Sequence, residues 1–203
     1  MAVTEWGVRS TRMEITETLY VSQRKDWRAW LRANHKTKKE IWLIFYKKGS
    51  GKPRIAYNDA VEEALCFGWI DSTVKKMDAD CFAQRFSPRN PRSGYSRPNI
   101  ERLRKLVRQG KVIKAVRDKV APLLADDAWE APADILAETR NSPQAWKNYE
   151  KFPDGYKRIR ISYIDSARPR PDEFRKRLNY FLRMTEKNKQ FGYVKAEDIM
   201  SRE

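Results

Sequence analysis

The chain has 203 residues, and its 40% hydrophobic and 12% aromatic content is enough for a folded core despite a mean hydropathy of −0.83. Its 43 lysines and arginines exceed its 27 aspartates and glutamates, so a formal net charge of +16 favours anionic partners. No apolar run approaches the roughly 18–20 residues of a membrane span, and residues 1–7 lack the apolar stretch of a signal peptide. We therefore expect no membrane insertion and a cytoplasmic location, which agrees with two cysteines, Cys66 and Cys81, that are not spaced as a disulfide framework.

The first elements predict a sheet with helices packed on it. Residues 1–17 have weak periodicity and predict a loose arm, followed by a short strand at 19–21. Ser22 is a suitable N-cap for a helix over 23–34. The unbroken apolar run at 41–46 predicts an interior strand that is covered on both faces.

A second helix and a hairpin come next. Asn58 is a suitable N-cap for a helix over 59–67, and Gly68 is placed to end it. The segments 69–77 and 81–87 read as two strands joined by a tight turn. This hairpin completes the predicted sheet.

An arginine- and proline-rich loop connects the hairpin to a basic helix. Three prolines stiffen the loop at 87–98. We expect Asn99 to cap the next helix, which has one apolar and one basic face and ends at Gly110. From Lys114 onward the pattern predicts five further helices.

The predicted fold class is α+β, with a small, mostly antiparallel sheet and packed helices in the N-terminal half and a helical C-terminal portion. Two of the late helices have clear start signals, Ser142 before Pro143 and Pro171 at a first helical position. The predicted parts are a loose arm at 1–17, an α+β core at 18–112, a helical portion at 113–185 and a polar tail at 186–203.

The chemistry available to the chain is limited. His35 is its one histidine, no G-x-S-x-G elbow is present, and one histidine with two separated cysteines does not supply a common zinc site. Cys66 lies in an apolar helix end, where burial disfavours the reactive thiolate. A carboxylate site for magnesium at Asp71, Asp78 or Asp80 is a further alternative, although the sequence D-A-D at 78–80 is more typical of a hairpin turn. We therefore expect no metal, no cofactor and no catalytic residue, although an enzyme is not excluded.

The arginine-rich segment at 85–99 is the best candidate for anion recognition. A guanidinium presents a planar fork of donors, a helix start presents free N–H groups, and a tyrosine ring can stack on a ligand. The candidate ligand-binding residues are Trp69, Asp71, Arg85, Ser87, Arg89, Arg92, Tyr95, Ser96 and Asn99. The alternative is that these arginines pair with carboxylates such as Asp71 and Glu101 and fix the loop to the sheet.

Several motifs occur in a fixed order along the chain. They are A-L-C-F-G-W-I-D-S at 64–72, Q-R-F-S-P-R at 84–89, S-x-x-S-x-x-N at 93–99 and L-V-R-Q-G at 106–110. In this order they resemble the bacteriocin-protection, YdeI/OmpD-associated family over roughly residues 19–182. The chain departs from the family at residues 167–173, which read A-R-P-R-P-D-E where members usually continue A-K-x-P-E-T-R.

The resemblance implies a link to an outer-membrane porin and to protection against membrane-active peptides, without a catalytic residue. We favour a non-enzymatic, stress-related binding protein whose partner is a small anion or an acidic protein segment. Nucleic-acid binding is the alternative, because the chain is strongly basic and Tyr95 precedes a basic helix. A weaker alternative is an enzyme with a pocket around Trp69, Asp71 and Arg85.

Overall fold

The computed structural model describes residues 14–125 and 129–192. The predicted loose arm falls mainly on residues 1–13, and the end of the predicted polar tail on residues 193–203. Both segments lie outside the described residues.

Four strands form one sheet in the order β1–β2–β4–β3. The strands are β1 (Thr18–Leu19), β2 (Ile41–Tyr46), β3 (Trp69–Lys76) and β4 (Cys81–Pro88). β1 pairs with β2 in parallel, while β4 is antiparallel to both β2 and β3, so the predicted, mostly antiparallel sheet is confirmed. Ile41, Trp42 and Leu43 of β2 are all fully buried, as expected for an interior strand covered on both faces.

Four helices accompany the sheet, and three of their predicted caps are wrong. The helices are α1 (Arg24–Asn34), α2 (Tyr57–Cys66), α3 (Arg97–Arg108) and α4 (Lys114–Ala125). The N-cap positions are Gln23, Ala56 and Ser96, rather than Ser22, Asn58 and Asn99.

The two asparagines have a tertiary role instead of a capping role. The Asn99 and Asn58 side chains accept hydrogen bonds from the Arg102 guanidinium at 2.9 and 3.0 Å. The bond between Asn58 and Arg102 joins α2 to α3, and both asparagines lie inside the first turns of their helices rather than before them.

Four more helices complete the part of the chain that the structure describes, so the helical C-terminal portion is confirmed. They are α5 (Ala133–Arg140), α6 (Pro143–Lys151), α7 (Asp154–Asp165) and α8 (Pro171–Glu186). The Ser142 hydroxyl accepts a hydrogen bond from the Ala145 N–H at 3.3 Å, and Pro171 begins α8, as the sequence predicts. Among the described residues, no helix is both long and apolar enough to cross a membrane.

The buried apolar residues form two main cores. The first core extends from Trp27 to Val120 and includes Val116 and Val120 of α4, so packing continues one helix beyond residue 112. Gly68, with a φ of +76°, lies where a side chain would come within 3.1 Å of Val116. The second core joins α5 to α8 through residues such as Ile135, Ile161 and Phe181.

Candidate ligand-binding cleft

A cleft of about 1570 Å³ lies between the two halves of the protein. One wall comes from α2, the strands β3 and β4 and the start of α3, and includes Tyr57, Asp71 and Asn99. The other wall comes from α7, α8 and the residues after α8, and includes Arg160 and Phe191. We refer to this space as the cleft.

Arg160 is the unusual residue of the cleft. It is only 9% exposed, its Nε is buried without a hydrogen-bond partner, and no carboxylate among the described residues forms an ion pair with it. Burial lowers the pKa of Arg160, because the charged guanidinium loses hydration, and the nearby Tyr156 and Tyr163 offset this only in part. By contrast, Arg24 on α1 contacts three carboxylates, those of Asp59, Glu62 and Glu63.

Aromatic rings surround the Arg160 guanidinium. Its central carbon lies 5.8 Å from the ring centre of Tyr156, 5.9 Å from that of Tyr163 and 5.3 Å from that of Phe191. Tyr156 and Tyr163 are four residues before and three residues after Arg160, so α7 itself places them on the same face. The rings attract the cation weakly but supply no compensating charge.

The chain after α8 closes one side of Arg160. The Phe191 N–H donates a hydrogen bond to the Tyr156 hydroxyl at 3.2 Å. Gly192 follows with a φ of +100°, and a side chain there would overlap the guanidinium of Arg160. The positive φ favours glycine here, and any other residue would also have to displace the Arg160 guanidinium.

The lining of the cleft is positively charged on balance. Among the described residues, five cationic side chains and two carboxylates contribute to it, and Arg177 pairs with one of those carboxylates, Glu173, at 2.7 Å. The other carboxylate, Asp71, accepts a hydrogen bond from the Tyr57 hydroxyl at 2.6 Å. Burial and the nearby Asp71 charge raise the pKa of Tyr57, so this hydroxyl stays protonated and acts as a donor.

Of the nine candidate residues named from the sequence, three line the cleft, namely Asp71, Ser96 and Asn99. Trp69 is buried in the first core, where its indole N–H donates to the His35 carbonyl at 3.1 Å. A part in ligand binding stays a prediction for each of these residues.

The remaining five candidates lie outside the cleft lining, and the arginines among them differ in their contacts. Arg85 binds Glu40 through Nε and Nη2 at 2.7 and 2.6 Å and reaches the hydroxyls of Ser72 and Ser87. Arg89 stacks on Tyr95 at 3.8 Å. Arg92 is exposed.

The basic face of α3 is largely occupied by internal contacts. The side chains of Arg104 and Lys105 are mostly buried, with Lys105 3.6 Å from Glu62 and Arg104 4.0 Å from Glu101. Arg102 binds two asparagine amides, and Arg108 is exposed. The dense run of positive charge in the sequence is therefore not a continuous outer surface.

Sequence reasoning missed Arg160, Tyr57, Tyr163 and Phe191. One signal was present, because Arg160 falls four residues after Tyr156 and four before Ile164, within the apolar stripe of α7. A charged residue in such a stripe is uncommon unless it is paired. Among the described residues, no group of histidine, cysteine, aspartate or glutamate side chains is arranged to hold a metal ion.

Comparison with known protein families gives two matches. Residues 128–188 match the bacteriocin-protection, YdeI or OmpD-associated family, and residues 19–119 match a domain of unknown function, DUF8412. The first match confirms the resemblance inferred from the sequence and shows that a YdeI/OmpD-associated domain is present. No curated protein and no solved structure matches the chain.

The extent of the family match differs from the expected one. It covers the C-terminal helices, including the divergent residues 167–173, whereas the motifs at 64–110 lie in the other match. The two matches coincide closely with the two cores. The cleft is therefore lined on one side by the DUF8412 region and on the other by the YdeI/OmpD-associated region and the residues that follow it.

Proposed function

We propose that the protein binds an anionic ligand in the cleft and that Arg160 is its main contact. The observation that carries this proposal is the burial of Arg160 without an acidic partner among the described residues. An uncompensated buried charge costs several kcal/mol. A bound anion supplies the missing charge, so the site is complete only with its ligand.

The surroundings of Arg160 favour such binding. Aromatic rings limit access of water to the guanidinium, and electrostatic attraction is stronger where water is excluded. The excess of cationic side chains in the lining attracts anions from solution. The family description adds protection against bacteriocins as the cellular setting that we propose for this binding.

The proposal is one of binding rather than catalysis. Tyr57, whose pKa is raised, stays protonated and donates its one hydroxyl proton to Asp71, so it is not suited to accept a proton from a substrate. Nucleic-acid binding draws less support, because the basic face of α3 is engaged in internal contacts and Tyr95 is covered by Arg89.

The test is a fluorescence titration with 8-anilinonaphthalene-1-sulfonate, which combines one anionic group with aromatic rings. Arg160→Gln should weaken binding about tenfold or more, since a hydrogen bond to a charged group is worth roughly 1.5–3 kcal/mol. The matched control is Arg32→Gln, which removes the same charge from an exposed position on α1 and should leave binding unchanged.

Equal affinity of the Arg160→Gln and wild-type proteins for the probe would overturn the proposal. Circular dichroism and thermal unfolding must show that the variant is folded, because partly unfolded proteins also bind this probe. The same titration with Arg92→Gln separates the cleft from the arginine-rich loop. A loss in that variant alone would place the anion site on the loop.

A further inference from the structure

We infer that the ligand is an amphipathic monoanion, that is, a single carboxylate or sulfonate group attached to an extended apolar body. This inference rests on the proposed function and names the class of ligand for the same cleft. Three observations lead to it: the surroundings of Arg160, the carboxylates in the lining and the exposed apolar side chains.

The surroundings of Arg160 favour an anion with a single charge. An anion that reaches this guanidinium comes close to the rings of Tyr163 and Phe191 and loses much of its hydration. The cost of removing hydration grows with the square of the ionic charge. A carboxylate or sulfonate therefore enters at far lower cost than a doubly charged phosphate.

Asp71 acts against a second negative group at the far end of the ligand. It lies on the wall opposite Arg160, whereas the other carboxylate of the lining, Glu173, is paired with Arg177. A second negative group that reached the wall opposite Arg160 would approach Asp71 and be repelled. This placement fits a ligand with one anionic end at Arg160.

The apolar body is inferred from the exposed side chains. Among the described residues, six large hydrophobic side chains are strongly exposed, and four of them line the cleft, namely Tyr57, Val74, Tyr163 and Tyr180. Partly buried apolar side chains, such as Phe82, continue the same surface. Exposed apolar surface concentrated in one concave place is typical of a binding site.

The size of the cleft favours an extended body. Its volume of about 1570 Å³ exceeds the roughly 300–1,000 Å³ typical of small-ligand pockets. A short anion such as acetate would leave most of this apolar surface in contact with water. An acyl chain or a fused-ring carboxylate would cover much more of it.

The experiment is a displacement series against 8-anilinonaphthalene-1-sulfonate, with linear carboxylates from butyrate to decanoate below their micelle concentrations. Affinity should rise with each added methylene, up to about fourfold per group that becomes fully buried. Inorganic phosphate and decyltrimethylammonium should displace the probe poorly. Either of them competing as well as decanoate would overturn the ligand class.

Two variants and one control test which residues contact the anionic group and which contact the apolar body of the ligand. Arg160→Met should weaken decanoate about tenfold or more while affinity for uncharged decanol is unchanged, because only the anion uses the guanidinium. Val74→Ser should reduce the gain in affinity per added methylene, because Val74 lines the cleft. Met77→Ser should not reduce it, because Met77 is an exposed apolar residue outside the lining.

The outcomes separate this inference from the proposed function. Displacement by phosphate that depends on Arg160 would overturn the ligand class and leave anion binding in place. Decanoate affinity that is the same in wild-type and Arg160→Met proteins would overturn both.

Discussion

Glu101 and Arg158 form a two-point ion pair that joins α3 to α7. The Nε and Nη2 atoms of Arg158 lie 2.7 and 2.9 Å from the two carboxylate oxygens of Glu101, which is only 1% exposed. α3 contributes to the first core and packs against α7 across the border between the two halves. The pair therefore ties the two halves together beside the cleft.

Arg158→Met should destabilise the protein by about 3 kcal/mol, because it leaves the Glu101 carboxylate buried without its main partner. Arg104, 4.0 Å from Glu101, limits the loss. The double change Glu101→Leu with Arg158→Met should recover most of the stability, since no buried carboxylate then remains. Urea unfolding of the three proteins measures this, and a double variant as unstable as the single one would contradict it.

Arg160→Met should act in the opposite direction. It removes a buried charge that has no acidic partner, so the free energy of unfolding of the ligand-free protein should rise by about 1 kcal/mol. The expected increase in Tm is roughly 2–4 °C for a protein of this size. Thermal unfolding without ligand is the measurement.

The matched control for Arg160→Met is Arg168→Met, which removes a surface arginine that is paired with Asp134 and Asp165. This control should leave the Tm unchanged or slightly lower. A fall in stability on Arg160→Met comparable to that of Arg158→Met would mean that Arg160 holds the fold together, and would remove the main argument for a ligand.

Arg89→Ala should loosen the arginine-rich loop, whereas Arg92→Ala should have no measurable effect on stability. Arg89 stacks on Tyr95 at 3.8 Å and donates to the Gly94 carbonyl at 2.7 Å, while Arg92 is exposed. The expected loss for Arg89→Ala is roughly 0.5–1 kcal/mol, typical of an exposed cation–π contact. Chemical unfolding distinguishes the two variants.

The same pair of variants tests the site that the sequence favours. If anions bind in the cleft, the combined Arg89→Ala and Arg92→Ala protein should retain its affinity for 8-anilinonaphthalene-1-sulfonate. If the loop is the site, that affinity should disappear while the fold persists. The two placements therefore predict different results in one titration.

The elements of the fold were predictable where a local signal decides the structure. The unbroken apolar run at 41–46 predicts a strand that is covered on both faces, and β2 is such a strand. Gly68 follows the end of α2 with a φ of +76°, a backbone conformation that disfavours most other residues. The predicted asparagine caps were wrong because both side chains accept hydrogen bonds from the Arg102 guanidinium instead. Asn58 and Asn99 lie 41 positions apart in the chain, yet both bind Arg102.

The candidate site was less predictable from the sequence, because it depends on which buried arginine has no carboxylate close to it in the described part of the structure. The density of arginines in the sequence favoured residues 85–99 as the site, but in the structure Arg85 is paired with Glu40. Arg160 occupies a helix between hydrophobic residues, and its environment depends on Phe191, more than thirty positions later. No local pattern encodes the absence of a carboxylate.

Glu40 should contribute stability that depends on pH. The hydrogen bond from the Thr16 hydroxyl and the nearby Arg85 guanidinium lower the pKa of Glu40 below its usual range. A carboxyl whose folded pKa is depressed stabilises the protein above its unfolded pKa, and this contribution is lost as pH falls through the folded value. Because the Glu40 side chain is 22% exposed, the contribution near neutral pH should be about 1 kcal/mol or less.

The measurement is the free energy of unfolding of wild-type and Glu40→Gln proteins as a function of pH. Glu40→Gln should be less stable near neutral pH, and the two proteins should converge as the pH falls below the folded pKa of Glu40. Thr16→Val, which keeps the carboxylate but removes its hydroxyl donor, should show a smaller loss over the same range. A difference between wild-type and Glu40→Gln that stays constant down to acid pH would mean that the glutamate acts through packing rather than through its charge.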